Sequence, residues 1–279
     1  MVHYFPKINK TNNAKFSILI PTWNNLEYLK LCIESIRKNS HYTHQIIVHV
    51  NEGIDGTLEW VKQQDLDHTY TTENIGICWA LNAAYSLAKT DLIAYFNDDM
   101  YACPDWDFYI QQEIDKIGHS YFYLSATMIE PRGKDTNPCV IAPFNFGDTV
   151  DEFREEDLLK SFNSFAKEDW NGASWPPSIM HRLLWDLIGG FSVEFTPGMY
   201  SDPDISMKMW KAGVRIYKGI GMSRVYHFMT KTTQKLPSKN MGRKIFCKKW
   251  KISAGKFSKK YLLRGTNYTG PIKEPKKSV

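Results

Sequence analysis

The strongest constraint on the fold lies in the first hundred residues, where short apolar runs alternate with stretches of helical spacing. Phe16-Ser17-Ile18-Leu19-Ile20 ends at Pro21-Thr22-Trp23-Asn24, and Ile46-Ile47-Val48-His49-Val50 ends at Asn51-Glu52-Gly53. A short strand near 68–71 leads to Asn74-Ile75-Gly76, and Leu92-Ile93-Ala94-Tyr95-Phe96 runs into Asn97-Asp98-Asp99. Between these runs, Leu26, Leu29, Ile33 and Ile36 follow a helical period behind Asn24 or Asn25, either of which can cap. Asp55-Gly56-Thr57 opens a second helix at Leu58, and Ala80, Leu81, Ala84, Leu87 and Ala88 mark a third. Strands alternating with helices require crossover connections, and hence a largely parallel sheet with helices on its faces. In such sheets ligands bind outside the carboxyl ends of the strands. Each run here ends in a polar cluster, so the topology gathers those clusters on one edge.

The second half is less regular. The pattern predicts a strand over 121–128, a helix over 151–167 and an aromatic, turn-rich loop over 170–177. It predicts a further helix over 181–188 that stops at Gly189-Gly190, and one opened by Asp202-Pro203-Asp204, with Pro203 suited to the first helical position. Short strands at 214–217 and 223–228 follow, and there is no internal repeat. A chain of 279 residues can bury one large domain, or one domain with an appendage. Five scattered cysteines with no CxxC pair are expected to be reduced thiols, neither a disulfide framework nor a zinc site. No apolar run is long enough to span a bilayer, and 1–7 lacks the apolar stretch of a secretory leader, so a cytoplasmic location is expected.

Five groups of residues could carry chemistry. Asp98-Asp99 at a strand end can hold a hard divalent cation that bridges a diphosphate, or can be two solvated acids at a turn. Of Asp202 and Asp204, one can cap its helix while the other takes a proton from a substrate hydroxyl. His227 is either a packed core histidine or a ligand that joins carboxylates around an ion such as manganese. Trp170 and Trp175 can stack on sugar faces or anchor their loop on the core. Gly190 stops a helix or admits close approach of a ligand.

In order and spacing these blocks resemble the family 2 glycosyltransferases of the GT-A fold, over roughly 15–230. Ile18–Asn24 resembles the opening strand and nucleotide-contacting turn, and Val50–Thr57 the second-strand motif. Asn74-Ile75-Gly76 with Ala80-Leu81-Asn82 matches the helix before the metal strand. Asn97-Asp98-Asp99 occupies the DxD position, and Gly189-Gly190-Phe191 with Ser201-Asp202 the GGF and ED blocks. The resemblance implies a Rossmann-like, mostly parallel α/β sheet flanked by helices, with a nucleotide half over 15–115, an acceptor half over 116–230 and an extension over 231–279. It implies nucleotide contacts from Pro21, Thr22, Trp23, Asn51, Glu52, Asn74, Gly76, Asn97 and Asp98, with Asn51 and Glu52 reading the base. It implies Mn²⁺ or Mg²⁺ on Asp99 and His227, and acceptor contacts from Trp170, Asn171, Trp175 and Gly190. Asp202 becomes the candidate base and Asp204 its support, with the reverse still open.

Two positions depart from the pattern: Asn97 stands at the first DxD position, and Ser201 where the ED pair usually has Glu. The implied reaction is inverting transfer of a sugar, hexosyl or N-acetylhexosaminyl, from a nucleotide diphosphate, UDP favoured. The acceptor would be a glycan or lipid-linked sugar in bacterial-type cell-surface polysaccharide synthesis. A non-catalytic sugar- or nucleotide-binding relative is a second class. A sugar-nucleotide nucleotidyltransferase is a third, although 21–25 lacks its Gly-rich signature.

The net charge of +5 conceals an asymmetry. Residues 231–279 hold 15 Lys and Arg against one acid, Glu274, for +14, and the first 230 hold 20 against 29, for −9. In the tail, lysines interleave with Phe246, Trp250, Phe257, Tyr261 and Leu262. Such a segment can lie on an anionic leaflet, making the protein peripheral on the inner membrane face, or fold back on the acidic body. Nucleic acid is not an expected partner, because the body is acidic and no recognition motif occurs.

Overall fold

In a computed structural model, which describes residues 1–7, 13–64, 66–134, 136–230 and 241–275, the apolar runs of the first half pair side by side. Four parallel strands stand in the order β4 (Asp67–Thr71), β3 (Gln45–Asn51), β2 (Phe16–Trp23), β5 (Leu92–Tyr95). Helices cover both faces, which is why β3 is buried along its whole length. Alternate residues of β2 feed two cores. Phe16, Ile18 and Ile20 pack with Leu29, Cys32, Ile33 and Ile36 of α1 (Leu26–Asn39). Leu19 packs with Cys78, Leu81 and Ala84 of α3 (Gly76–Tyr85). A shorter helix, α2 (Thr57–Gln63), joins the first core through Leu58 and Val61.

The chain steps from β2 outward to β3 and β4, then returns to the other side of β2 as β5. That reversal opens a crevice between the carboxyl ends of β2 and β5. The second half extends the same sheet through β10 (Ser178–His181), β7 (Phe122–Ile129), β11 (Ile216–His227) and β6 (Met100–Ala102). β7 and β11 are parallel, whereas β10 runs antiparallel between β5 and β7, with Ile179 opposite Ala94 and Leu124. Short strands β1 (His3–Phe5), β8 (Val140–Ile141) and β9 (Trp170–Asn171) pair with β4, β7 and β11. α4 (Trp106–Ile117) packs on β11 and β7.

Several local expectations change. β10 follows the expected loop and takes the first residue of the expected helix, so that α6 (Arg182–Ile188) begins only after it. The two strands expected over 214–228 are one strand, whose register shifts between Ile220 and Arg224. The helix expected over 151–167 shortens to α5 (Glu155–Ser161) and a following 3₁₀ turn. Asn25 occupies the N-cap position of α1 without bonding it, and the Asp55 carboxylate accepts the Leu26 N–H instead, at 3.0 Å. α7 (Ser201–Lys211) starts at Ser201, which puts Pro203 third in the helix, and no side chain caps it.

The described part of the basic extension folds back on the body. Phe246 of α8 (Gly242–Trp250), Phe257 of α9 (Ala254–Lys260), Leu262 and Ile272 are buried in the second core with Trp210 and Tyr217. Lys249 pairs with Glu194 at 2.8 Å, and Arg215 with Glu274 at 2.6 Å. Thr266 accepts the Asn171 N–H at 2.8 Å, which extends the sheet's edge at β9. Phe246, Phe257 and Leu262 are thus spent on packing. Among the described residues no helix is long and apolar enough to cross a membrane.

Candidate active site

The crevice at the strand reversal continues across the sheet edge as one cavity of about 470 Å³. Its floor on the first-half side is made by Pro21, Thr22 and Trp23 at the end of β2, Asn51 at the end of β3, Asn74 and Gly76 at the start of α3, and Asn97, Asp98 and Asp99 after β5. Facing them are Trp175, the 197–200 loop, Ser201 and Asp202 at the start of α7, His227 at the end of β11 and Thr230 beyond it. Gly76 has φ +73°, and a Cβ there would stand 2.7 Å from Thr196 Cγ2, so the 196–197 turn can close on α3 only over glycine.

Asp98 and Asp99 are both nearly buried but are held differently. Asp98 accepts the Thr22 hydroxyl at 2.7 Å, which ties the ends of β2 and β5 together. Burial and the adjacent Asp99 charge raise its pKa against that hydrogen bond. Asp99 Oδ2 accepts from the Thr230 N–H at 2.9 Å and hydroxyl at 2.7 Å, and lies 3.6 Å from His227 Nε2. The other imidazole nitrogen, Nδ1, lies 3.1 Å from Glu130 Oε1. Burial lowers the His227 pKa, but the Asp99 and Glu130 carboxylates outweigh it and leave the pKa raised. An imidazole between two carboxylates marks a place of negative potential that favours a cation. Asn97, at the first position of this triplet, accepts the Tyr95 hydroxyl at 2.8 Å.

Among the described residues no group of three or more His, Cys, Asp and Glu side chains is arranged to hold a metal ion. Asp99 and His227 therefore offer one carboxylate and one imidazole. That donor set suits Mn²⁺ or Mg²⁺ when phosphate oxygens and water fill the remaining positions. The Glu130 contact at the far nitrogen fixes the ring, as outer partners of ligating histidines do.

Asp202 and Asp204 sit two residues apart on α7 and so point about 200° apart around it. Asp202 lines the cavity, and burial raises its pKa from 3.8 to about 7, with the Arg264 charge opposing. Asp204 is 1% exposed and does not line the cavity; its Oδ1 accepts the Trp250 indole N–H at 2.7 Å and lies 3.0 Å from Lys249 Nζ.

Five candidates lie outside the cavity lining: Glu52, Asp204, Trp170, Asn171 and Gly190. Trp170 is buried, donates to the Thr127 hydroxyl at 3.0 Å and stacks on Trp175, so its ring serves the core. Asn171 donates to the Thr266 hydroxyl and Asn267 carbonyl of the C-terminal segment. Gly190 has φ +60°, and a Cβ would stand 2.5 Å from Asn82 Oδ1, so internal packing demands the glycine there. Trp175 reaches the cavity, but Trp170 covers one face of its ring and the Arg264 guanidinium stands 4.1 Å over it, leaving its edge to a ligand. Asn51 spends its amide on the Thr22 carbonyl (3.3 Å) and the Ile75 N–H (2.9 Å). Glu52 holds Trp23 Nε1 at 2.8 Å and Asn24 Nδ2 at 2.9 Å, so it acts on the cavity through Trp23.

Sequence reasoning missed Thr230, Glu130 and the 197–200 loop. Thr230 carried a signal in its place three residues after His227. Glu130, at the end of β7, carried none until the pairing of β7 with β11 was known.

Comparison with known proteins places this geometry. The model of glycosyl transferase family 2 matches residues 17–168. A search of curated proteins returns no match. Among solved structures the chain resembles S. aureus TarS 1–349 in complex with UDP, at 18% identity and a TM-score of 0.55, over 76% of this chain and 60% of that one. It resembles GalNAc-T7 with UDP, GalNAc and Mn²⁺ at 15% identity and a TM-score of 0.57, over 78% and 44%. A third likeness is the mannosyltransferase PcManGT from Pyrobaculum calidifontis with GDP-Man and Mn²⁺, at 18% and 0.52, over 80% and 59%. The chain thus spans about 60% of the TarS segment it matches, and all three neighbours share its GT-A architecture. With a family match over more than half its length and a GT-A sheet around the cavity, the chain belongs to glycosyl transferase family 2.

Proposed function

We propose that the protein transfers a sugar from a nucleoside diphosphate, UDP favoured, to a hydroxyl of a glycan or lipid-linked acceptor, with inversion at the anomeric carbon. The observation that carries this reading is the meeting, in one cavity, of the Asp99–His227 pair and a desolvated Asp202 carboxyl. The nucleotide lies along Pro21, Thr22, Trp23, Asn74 and Gly76, with Asn51 and Glu52 shaping that end and Asn97 and Asp98 beside the diphosphate. Asp99 and His227 would hold Mn²⁺ or Mg²⁺, which would neutralise charge on the leaving diphosphate. The UDP, GDP-Man and Mn²⁺ of the structural neighbours support a nucleotide-sugar donor and a divalent cation.

Asp202 takes the proton of the acceptor hydroxyl as that oxygen attacks the anomeric carbon. A pKa near 7 suits the task, since a base works best near the ambient pH. The diphosphate leaves from the opposite face, so a single displacement inverts the centre and needs no covalent nucleophile. Asp204 supports α7 and stays out of the proton transfer, because its carboxylate is engaged by Trp250 and Lys249. The edge of Trp175 borders the acceptor side.

The exposed Lys244, Lys248, Lys251, Lys256, Lys259 and Lys260 present a basic surface suited to the anionic inner leaflet, where each contributes about 1 kcal/mol. Because Phe246 and Phe257 are buried, that association is electrostatic, and flotation with anionic vesicles is expected to be abolished by high salt. The enzyme then works in bacterial-type cell-surface polysaccharide synthesis.

The test is turnover of a nucleotide-sugar panel with oligosaccharide and lipid-linked acceptors, reading nucleoside diphosphate release and the anomeric configuration by NMR. Free nucleoside diphosphate with an inverted product is expected. Release of pyrophosphate, or no nucleotide binding by calorimetry with or without Mn²⁺, overturns the proposal.

A further inference from the structure

We infer that helix α8 completes the catalytic half: Lys249 and Trp250 are positioning residues that set α7, and with it Asp202, against the cavity. This rests on the reading of Asp202 as the base. α7 receives no side-chain cap, so its placement depends on lateral contacts. Asp204 supplies one. It faces away from the cavity, is 1% exposed, and takes both its partners from α8: Trp250 Nε1 at 2.7 Å and Lys249 Nζ at 3.0 Å.

Both contacts converge on Oδ1, and Oδ2 is buried with no hydrogen-bond partner among the described residues. Losing either contact leaves a buried carboxylate under-compensated, which drives it toward solvent and turns the helix with it. A rotation that carries Asp204 outward moves Asp202 too, because both side chains ride on one rigid helical turn.

Lys249 also reaches Glu194 at 2.8 Å and the Ser192 hydroxyl at 3.0 Å, in the turn that feeds the 197–200 loop of the cavity wall. One ammonium therefore ties the approach to α7 and the helix itself to α8. The family match ends at residue 168, so this bracing comes from a segment outside it.

The test uses the full-length chain carrying Lys249→Met, Trp250→Phe or Lys249→Arg, with Asp202→Asn alone and combined with Lys249→Met. Loss of alignment between base and acceptor is expected to lower kcat about 10- to 100-fold in Lys249→Met and Trp250→Phe. Donor KM and nucleotide affinity are expected to stay at wild-type values while the melting temperature falls, because a buried carboxylate loses a partner, and Lys249→Arg, which keeps the charge and reach, is expected to restore most of kcat. The combined variant is expected to be no slower than Asp202→Asn alone, since Lys249 acts through Asp202. If Lys249→Met fails to fold, Trp250→Phe, which removes the N–H while keeping an aromatic ring, carries the test.

Wild-type kcat in Lys249→Met and Trp250→Phe beside an inactive Asp202→Asn overturns the inference and leaves the base reading intact. Loss of nucleotide affinity in parallel with kcat also overturns it, since the contact then supports the fold as a whole and not the placement of Asp202. Full activity in Asp202→Asn removes the base reading itself.

Discussion

Asp202→Asn is expected to make the protein more stable and inactive at once, and the two effects have one cause. Burial raises the Asp202 pKa from 3.8 to about 7. Each pKa unit corresponds to about 1.4 kcal/mol, so ionising this carboxyl costs the folded state up to about 4 kcal/mol relative to the unfolded chain. Solvent at the cavity mouth and local relaxation reduce this, and about half is a working value. The folded group binds its proton more tightly than the unfolded one. The penalty is therefore absent below about pH 4, grows as pH rises toward 7, and is constant above. Asparagine keeps the shape without the charge. Thermal melts between pH 4.5 and 8.5 are expected to show the variant equal to wild type at the acid end and more stable at pH 8. At about 2 °C per kcal/mol for a chain of this size, the gain is about 4 °C. Transfer is expected to fall about 10²- to 10⁴-fold, as for loss of a general base. In the wild type kcat/KM is expected to rise tenfold per pH unit up to about 7 and then level. A stability difference that does not change with pH, or a variant less stable at pH 8, refutes the reasoning.

Asp99→Ala is expected to abolish the Mn²⁺ dependence of nucleotide binding in calorimetry while leaving weak metal-independent binding through the Trp23 end. Trp170→Ala is expected to cost about 3–5 kcal/mol in denaturant unfolding, because it empties a fully buried indole site, and to leave nucleotide affinity unchanged. Gly190→Ala is expected to destabilise by more than 1 kcal/mol, through strain at φ +60° and the Asn82 contact, again without a change in nucleotide affinity.

The parts of the site legible in the sequence are those where a strand announces its own end. β2, β3 and β5 are apolar runs followed at once by polar residues, so Thr22, Asn51 and Asp98-Asp99 could be placed on one edge before any coordinates. β10 was not legible. Ser178-Ile179-Met180-His181 has two adjacent apolar residues, no alternation, and a helix starting immediately after it. β11 looked divided because Gly219 and Gly221, beside its register shift, read as a break. The indoles of 170–175 were ambiguous because an aromatic ring in a loop carries no sign of which face is covered.

The basic tail illustrates a deeper ambiguity. Phe246 with Trp250, and Phe257 with Tyr261, recur at helical spacing among lysines. A helix lying on a membrane and a helix closing a core share that pattern. Phe246 and Phe257 are buried, so these two rings close the core. The different surroundings of Asp202 and Asp204 likewise depend on a partner far along the chain, Trp250, to which no local pattern points.

The antiparallel β10 also governs the order in which this chain can be built. β5 hydrogen-bonds to β2 on one side and to β10 on the other, and β7 has β10 as a neighbour too. Neither ladder can close until residue 181 has left the ribosome. A nascent or truncated chain that ends near residue 168 leaves β5 and β7 bare where β10 would lie, and β7 and β6 bare where β11 would lie, with β5 and β7 running through apolar sequence. Such edges are what chaperones and aggregates capture first. The segment that matches the family model is a unit of descent, while the smallest piece able to complete its own sheet reaches past β11, and the piece able to complete its core reaches Ile272.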